Sequence, residues 1–333
     1  MTEDSWSLAT MPALDGRTVV VTGANSGLGF EASRVFALKG ADVVLACRSV
    51  ERGDRAREEI EAEFPASSLE VRKLDLGSLD SVASFAASLR EERDRLDVLC
   101  NNAGVMAIPR SETDDGFETQ FGVNHLGHFA LTGRLLPLLC STPGESRVVT
   151  QSSGLHERGE MAFEDPMGER SYDRWDAYAQ SKLANLLFAY ELQRRLDDAN
   201  VTDVLSVGCH PGYAATNLQY RGPEARGSRA RLLAMKLANA VVAQSARRGA
   251  LPMLYAASSE HVKGGEYVGP GGPLNMRGTP AIQQSSPASY DRDDASQLWT
   301  VSEELTGVTY EFPDLDADAG DASDEVAAEV GDA

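Results

Sequence analysis

The sequence predicts an α/β protein built on one doubly wound parallel sheet of about seven strands. Three observations carry that expectation. Short runs dense in Val and Leu recur along the chain, helical periodicity fills the intervals between them, and a glycine-rich turn follows the first run directly. The strands expected are TVVVT (18–22), DVVLAC (42–47), LEVRKLD (69–75), LDVLCN (96–101), RVVTQS (147–152), DVLSVGCH (203–210) and the short GEYVG (265–269). Their apolar residues do not alternate with polar ones, as suits parallel strands covered on both faces. Amphipathic stretches at 27–39, 51–63, 78–94, 116–140 and 175–197 supply the helices. Right-handed crossovers between parallel strands then give the order 3-2-1-4-5-6-7.

No internal repeat and no convincing linker divides the chain of 333 residues. The expected organisation is an N-terminal extension (1–15), one α/β domain (16–312) and an acidic tail (313–333). The tail carries eight acidic side chains and no basic one, with few large apolar groups, a composition expected to stay disordered. The net charge of −20 excludes nonspecific nucleic-acid binding, which needs basic patches. Outside the tail, 43 acidic side chains still face 31 basic ones, and only five of the basic residues are lysine. Such a surface fits solubility in high salt, where charge repulsion is screened, and suggests a halophilic source.

The first residues show no basic patch followed by an apolar core, so no signal peptide is expected. No apolar run of about 18 residues suggests a transmembrane segment. Cys47, Cys100, Cys140 and Cys209 have neither metal-ligand nor redox spacing and read as small hydrophobes in a reducing compartment, the cytoplasm. His125 and His128 stand three apart on a helix without a third ligand, so no metal is expected. Trp6, Trp175 and Trp299 read as packing residues, and Ser152 as structural beside Ser153.

In VVVTGANSGLGF, Gly23, Gly27 and Gly29 fall after the first strand and at the mouth of a helix. Glycine there allows a tight turn and close approach of backbone to a pyrophosphate, with the helix N–H groups facing the anion. A glycine-rich turn that binds nothing is the plainer alternative, but the strand-loop-helix context favours a dinucleotide and the Rossmann fold. The second strand ends in LACRSVERG, with Arg48 where an NAD-binding chain usually places a carboxylate for the ribose 2′-hydroxyl. A guanidinium suits a 2′-phosphate instead. Asp42 sits at the wrong end of that strand. NADP(H) is therefore expected in preference to NAD(H).

Taken in order, these segments resemble the classical short-chain dehydrogenase/reductase family from about residue 16 to 310. Thr22–Gly29 matches its TGxxxGxG loop, and NNAG (101–104) its NNAG element. Asn124 in GVNHLGHF, Ser153 in VVTQSSG, and Tyr178 with Lys182 match its catalytic asparagine, serine and YxxxK pair. HPGYAATN (210–217) matches its PG segment. TGANSGLG, ACRSVERG, SKLANLLF and LWTVSEELTG further resemble the retinol-dehydrogenase-like branch, which commonly uses NADP(H). The resemblance implies that cofactor is held by Gly23, Asn25, Ser26, Gly27, Leu28, Gly29, Arg48, Asp75, Leu76, Asn102, Ala103, Gly104, Pro211, Gly212 and Thr216, with Tyr178 and Lys182. It also implies that Asp75 meets the adenine, and that Asn124 holds a water linking Lys182 to solvent.

The chemistry implied is interconversion of a carbonyl and an alcohol on a small molecule. Hydride transfer to a carbonyl carbon needs a proton on the oxygen. A free phenol titrates near pH 10, and a neighbouring ammonium is expected to lower it. Tyr178 would be the acid/base, Lys182 its activator, and Ser153 the donor that positions the substrate oxygen. On a helical wheel, Tyr178, Lys182, Asn185 and Ala189 form a stripe beside the core stripe of Leu183, Leu186, Leu187 and Tyr190, so the pair can face a cleft.

Twenty-five positions separate Ser153 from Tyr178, more than in many family members, and the charged segment between them is expected to form a surface loop over the site. Residues 213–250 are expected to form a lid, basic and then apolar, compatible with an apolar substrate. A homo-oligomer is compatible with these features. Two other functions were weighed: an NADP-sensing binding protein without turnover, and NADP-linked sugar-nucleotide modification. The complete Asn/Ser/Tyr/Lys set counts against the first, and the missing large C-terminal domain against the second.

Overall fold

A computed structural model describes residues 6–212 and 245–313 of the chain. The alternation of apolar runs and helical segments becomes β1 (Thr18–Thr22), α1 (Gly27–Leu38), β2 (Asp42–Cys47), α2 (Val50–Glu63), β3 (Ser68–Lys73), α3 (Leu79–Glu92) and β4 (Val98–Asn101). A short helix α4 (Thr119–Phe121) runs through a π turn (Gly122–Leu126) into α5 (Gly127–Ser141). Then follow β5 (Ser146–Gln151), α6 (Arg174–Asp198), β6 (Val204–Cys209), α7 (Ala246–Gly249), α8 (Leu251–Ser258), β7 (Tyr267–Pro270), β8 (Pro280–Gln283) and α9 (Arg292–Thr306).

The sheet order is β3-β2-β1-β4-β5-β6-β7-β8. The first seven strands pair in parallel in the expected order. β8 is an addition: it pairs antiparallel with β7, Val268 opposite Ile282. Its four residues open on a proline, which an edge position tolerates because no ladder donor is needed there. The third strand stops at Lys73, two residues short of the run expected from sequence. The expected helix 116–140 begins later, at Thr119, because Thr113 and Phe117 first close a turn.

Two apolar layers flank the sheet. Val19, Val21, Phe36, Leu45 and Ile60 pack on one face; Val20, Leu99, Phe129, Leu135 and Leu192 pack on the other. The residues before β1 join the first layer, with Met11 and Leu14 buried and Lys39 Nζ donating to the Met11 carbonyl at 2.6 Å. At the N-terminal side of the sheet, the buried Asp97 carboxylate accepts from Thr18 N at 2.8 Å and from Arg95 at 2.6 and 2.9 Å, which ties β1 to β4.

α6 is wrapped on more sides than its amphipathic pattern requires. α9 lies along it, with Trp299 among Phe129, Phe188 and Tyr310 and the Arg195 guanidinium 4.3 Å from the Trp299 ring. The segment between Ser153 and Tyr178 covers another side. Met161, Phe163 and Met167 pack against Phe121, Leu183, Leu187 and Leu298, and Tyr172 OH donates to Glu118 at 2.9 Å. The expected surface loop is thus anchored by packing. Trp6 packs edge-on against Tyr255 and Trp299 is buried, whereas Trp175 is 46% exposed and is not a packing residue. Among the described residues, no helix is long and apolar enough to cross a membrane.

Candidate active site

The glycine turn is shaped by two close approaches. Gly23 adopts φ +68°, a left-handed conformation natural to glycine, and a Cβ there would sit 3.0 Å from the Ala103 methyl. At Gly29 the constraint is space: a Cβ would lie 2.6 Å from both Asn102 Nδ2 and the Gly23 carbonyl oxygen. Asn102 cannot easily retreat, because its Nδ2 donates to the Thr22 carbonyl at 2.7 Å. α1 then begins with no acidic residue in its first turn, and the Ser26 side chain makes no cap bond. The amides of that turn are left to an anion, as a pyrophosphate cradle requires. Asn25, Ser26 and Leu28 are all at least partly exposed on this turn.

Around the cradle lie the other predicted cofactor residues. Arg48 directly follows β2, is exposed, and has no hydrogen bond or ion pair among the described residues. Asp75, half-buried, uses Oδ1 to accept from Gly77 N at 3.0 Å, and Leu76 is buried beside it. Asn102, Ala103 and Gly104 leave the end of β4. Gly212 takes φ +63°, and a Cβ would collide with the Met276 carbonyl at 2.4 Å, so the segment after β6 is pressed against the loop after β7. Pro211 precedes it; Thr216 lies outside the described residues, as does most of the expected lid. The glycine spaces, the uncapped helix start and the unpaired Arg48 together fit a phosphorylated dinucleotide.

Asn124, Ser153, Tyr178 and Lys182 converge beside this cradle. Asn124 stands in the π turn and is buried. Its Oδ1 accepts from Val105 N at 2.8 Å, while Nδ2 donates to the Val105 carbonyl and to Ser181 Oγ, both at 2.9 Å. A Cβ on Gly104 would be 3.0 Å from Asn124 Oδ1 and 3.6 Å from Lys182 Nζ, so both side chains border Gly104. Lys182 is 3% exposed and Nζ donates to the Gln151 carbonyl at 3.0 Å. Burial pushes its ammonium down to about 8.

Tyr178 is 4% exposed, and its hydroxyl stands near the Ser153 side chain. Here the expectation from chemistry is corrected. Burial pushes the phenol up to about 12, with the nearby Ser153 side chain acting the other way. Lys182 Nζ lies 5.9 Å from the Tyr178 ring centroid and spends a proton on Gln151, so desolvation outweighs its influence.

Several residues missed as functional from sequence shape this site. Ser153 is held by His156, whose Nδ1 donates to the Ser153 carbonyl at 2.7 Å while Nε2 accepts from Ser286 N at 3.0 Å. His210, before Pro211, stacks on Tyr267 and donates Nε2–H to Gln283 of β8 at 3.1 Å. The unpredicted C-terminal pieces thus brace the serine loop and the PG segment. Cys47, buried as expected, lies against the Ala24 and Asn25 backbone of the glycine turn. Ser152 is structural, donating to the Lys182 carbonyl at 2.7 Å. Among the described residues, no group of His, Cys, Asp and Glu could hold a metal, and the four cysteines are free.

Comparison with known proteins agrees with this geometry. The family profile for short chain dehydrogenases matches residues 17–226. Retinol dehydrogenase 14 of Mus musculus is 41% identical over 311 residues, covering 89% of this chain and 87% of its own. Retinol dehydrogenase 12 of Homo sapiens is 40% identical over 300 residues, covering 90% and 89%. A crystal structure of an uncharacterised protein from Mycobacterium paratuberculosis superposes with a TM-score of 0.75 at 41% identity, covering 93% of this chain and 99% of that one. A Beutenbergia cavernae structure described as an NAD(P)-dependent gluconate 5-dehydrogenase with bound NADP has a TM-score of 0.57 at 26% identity, covering 74% and 91%. With the glycine cradle, the buried Tyr-Lys pair and the sheet order all in place, the chain belongs to the short-chain dehydrogenase family of oxidoreductases.

Proposed function

We propose that the protein is an NADP(H)-dependent oxidoreductase that interconverts an aldehyde or ketone and the corresponding alcohol. The observation that carries this reading is the meeting of Ser153, Tyr178, Lys182 and Asn124 beside a cradle that only glycine can line. When bound, the dinucleotide supplies or accepts the hydride. Gly23, Gly27 and Gly29 admit its phosphates, Arg48 faces a 2′-phosphate, and Asp75 and Leu76 flank the adenine. Asn102, Ala103 and Gly104 line its middle, while Pro211, Gly212 and Thr216 serve the nicotinamide end.

Tyr178 holds the proton. As a neutral phenol pushed up to about 12, it is charged for donation to an oxygen that becomes alkoxide-like, which is reduction of a carbonyl. Ser153, beside the same hydroxyl, positions the substrate oxygen next to it. Lys182 keeps a positive charge at neutral pH in a buried place, which favours the phenolate left after donation. Asn124 supports reprotonation. Its side chain is held in place by bonds to Val105 and Ser181.

Relatives named retinol dehydrogenases at about 40% identity support an apolar primary alcohol or aldehyde as the substrate class. The NADP held by the 26%-identical structure supports the phosphorylated cofactor. The choice of cofactor is tested with a panel of aldehydes and ketones in high-salt buffer with NADPH or NADH. Wild-type protein is expected to turn over apolar aldehydes with NADPH, and Arg48→Asp to lower the NADPH-over-NADH preference by about tenfold or more, the scale of one charge-assisted phosphate contact. An unchanged preference in that variant would show that Arg48 does not read the 2′-phosphate.

A further inference from the structure

We infer that His128 is a positioning residue that locks the phosphate loop, the NNAG loop and the Asn124 turn into one unit. The inference rests on the dinucleotide and proton-handling roles proposed above. His128 is 1% exposed on α5, and its ring lies between Thr22 and Asn124.

The direction of each bond follows from its partners. Thr22 Oγ1 accepts the amides of Asn102 and Ala103, each at 2.9 Å, so both loops of the cofactor cradle meet on this one hydroxyl. With its acceptor sites taken, the hydroxyl has a proton to give, and His128 Nε2 lies at 2.9 Å, nearer than the Cys100 carbonyl at 3.2 Å. On the other side, Nδ1 is 3.0 Å from the Asn124 carbonyl oxygen, which can only accept. Nδ1 therefore carries the hydrogen. Burial keeps the ring neutral, pushing it down to about 4, so Nε2 is bare and accepts from Thr22. The chain runs one way: Thr22 O–H to Nε2, then Nδ1–H to the Asn124 carbonyl.

The two ends serve different halves of the site. At the Thr22 end, the bonds hold Asn102 and Ala103 where they close on Gly29 and Gly23. At the other end, the ring fixes the backbone carbonyl of Asn124, whose side chain reaches Ser181, the residue before Lys182.

Two substitutions separate the ends. His128→Gln places an acceptor near the Nε2 position and loses the donor to Asn124. His128→Asn keeps a donor near the Nδ1 position and loses the acceptor for Thr22; His128→Phe loses both at similar volume. Amide hydrogen exchange at Asn102 and Ala103 in the cofactor-free protein is expected to accelerate about five- to tenfold in His128→Asn and His128→Phe, and about twofold at most in His128→Gln. Calorimetric titration is expected to show NADPH Kd rising about five- to tenfold in His128→Asn, whereas in His128→Gln the larger loss falls on kcat.

Equal exchange rates across the three variants, or losses in Kd and kcat that simply follow the fall in Tm, would overturn the inference and return His128 to packing. If wild-type protein binds no dinucleotide, the cofactor reading fails. The exchange measurement still decides on His128.

Discussion

Tyr178→Phe is expected to lower kcat for carbonyl reduction by about 10²- to 10⁴-fold, the range for loss of a positioned general acid. The ring remains, so the buried volume at the head of α6 is kept and the change removes one hydroxyl. NADPH affinity is expected to stay within a few-fold, because the glycine cradle and Arg48 are untouched. The measurement is steady-state turnover together with calorimetric binding of NADPH to the same preparation. Full activity in this variant would remove Tyr178 from the chemistry, and loss of cofactor binding in proportion would give it a binding role instead.

Gly29→Ala is expected to act on the cofactor, not on the proton. A methyl would enter a space where Asn102 Nδ2 and the Gly23 carbonyl both stand at 2.6 Å. Asn102 is pinned to the Thr22 carbonyl, and Gly23 is backbone, so neither yields at small cost. Overpacking of this kind destabilises by about 1–3 kcal/mol. Because the strained atoms are those of the cradle, NADPH affinity is expected to fall by at least about tenfold, or about 1.4 kcal/mol. Thermal denaturation with and without NADPH checks both parts. An unchanged Tm and an unchanged NADPH-induced stabilisation would contradict the close packing at Gly29.

Legibility from sequence varied with the range of the interactions. The glycine loop, the order of the first seven strands and the spacing of Tyr178 and Lys182 are local patterns, and the structure places them as read. The helical wheel set the Tyr178 stripe beside the core. In the structure both residues are buried, because α9 and the segment before α6 cover faces that a wheel treats as open. β8 was illegible, being a four-residue edge strand that begins with proline.

The π turn at Asn124 likewise left no signature in an otherwise helical run. The role of His128 left no local signature, because its partner Thr22 is 106 residues away. His125 does follow the plain reading, buried against Phe121 and bonded to Ser302 at 2.8 Å. The lowered phenol pKa failed for a similar reason. Spacing gives the proximity of an ammonium but not the depth of burial, and depth decides the direction at Tyr178.

The central claim is that the site moves a hydride between a nicotinamide and a carbonyl carbon while Tyr178 moves the proton. Its most direct test uses NADPH deuterated on the transferred face of C4, with the best apolar aldehyde from the substrate panel. One deuterium is expected on the carbinol carbon of the alcohol, with one equivalent of NADP formed and both lost in Tyr178→Phe. Tight NADPH binding with no deuterated alcohol from any carbonyl would contradict it and leave a protein that binds the cofactor without turnover.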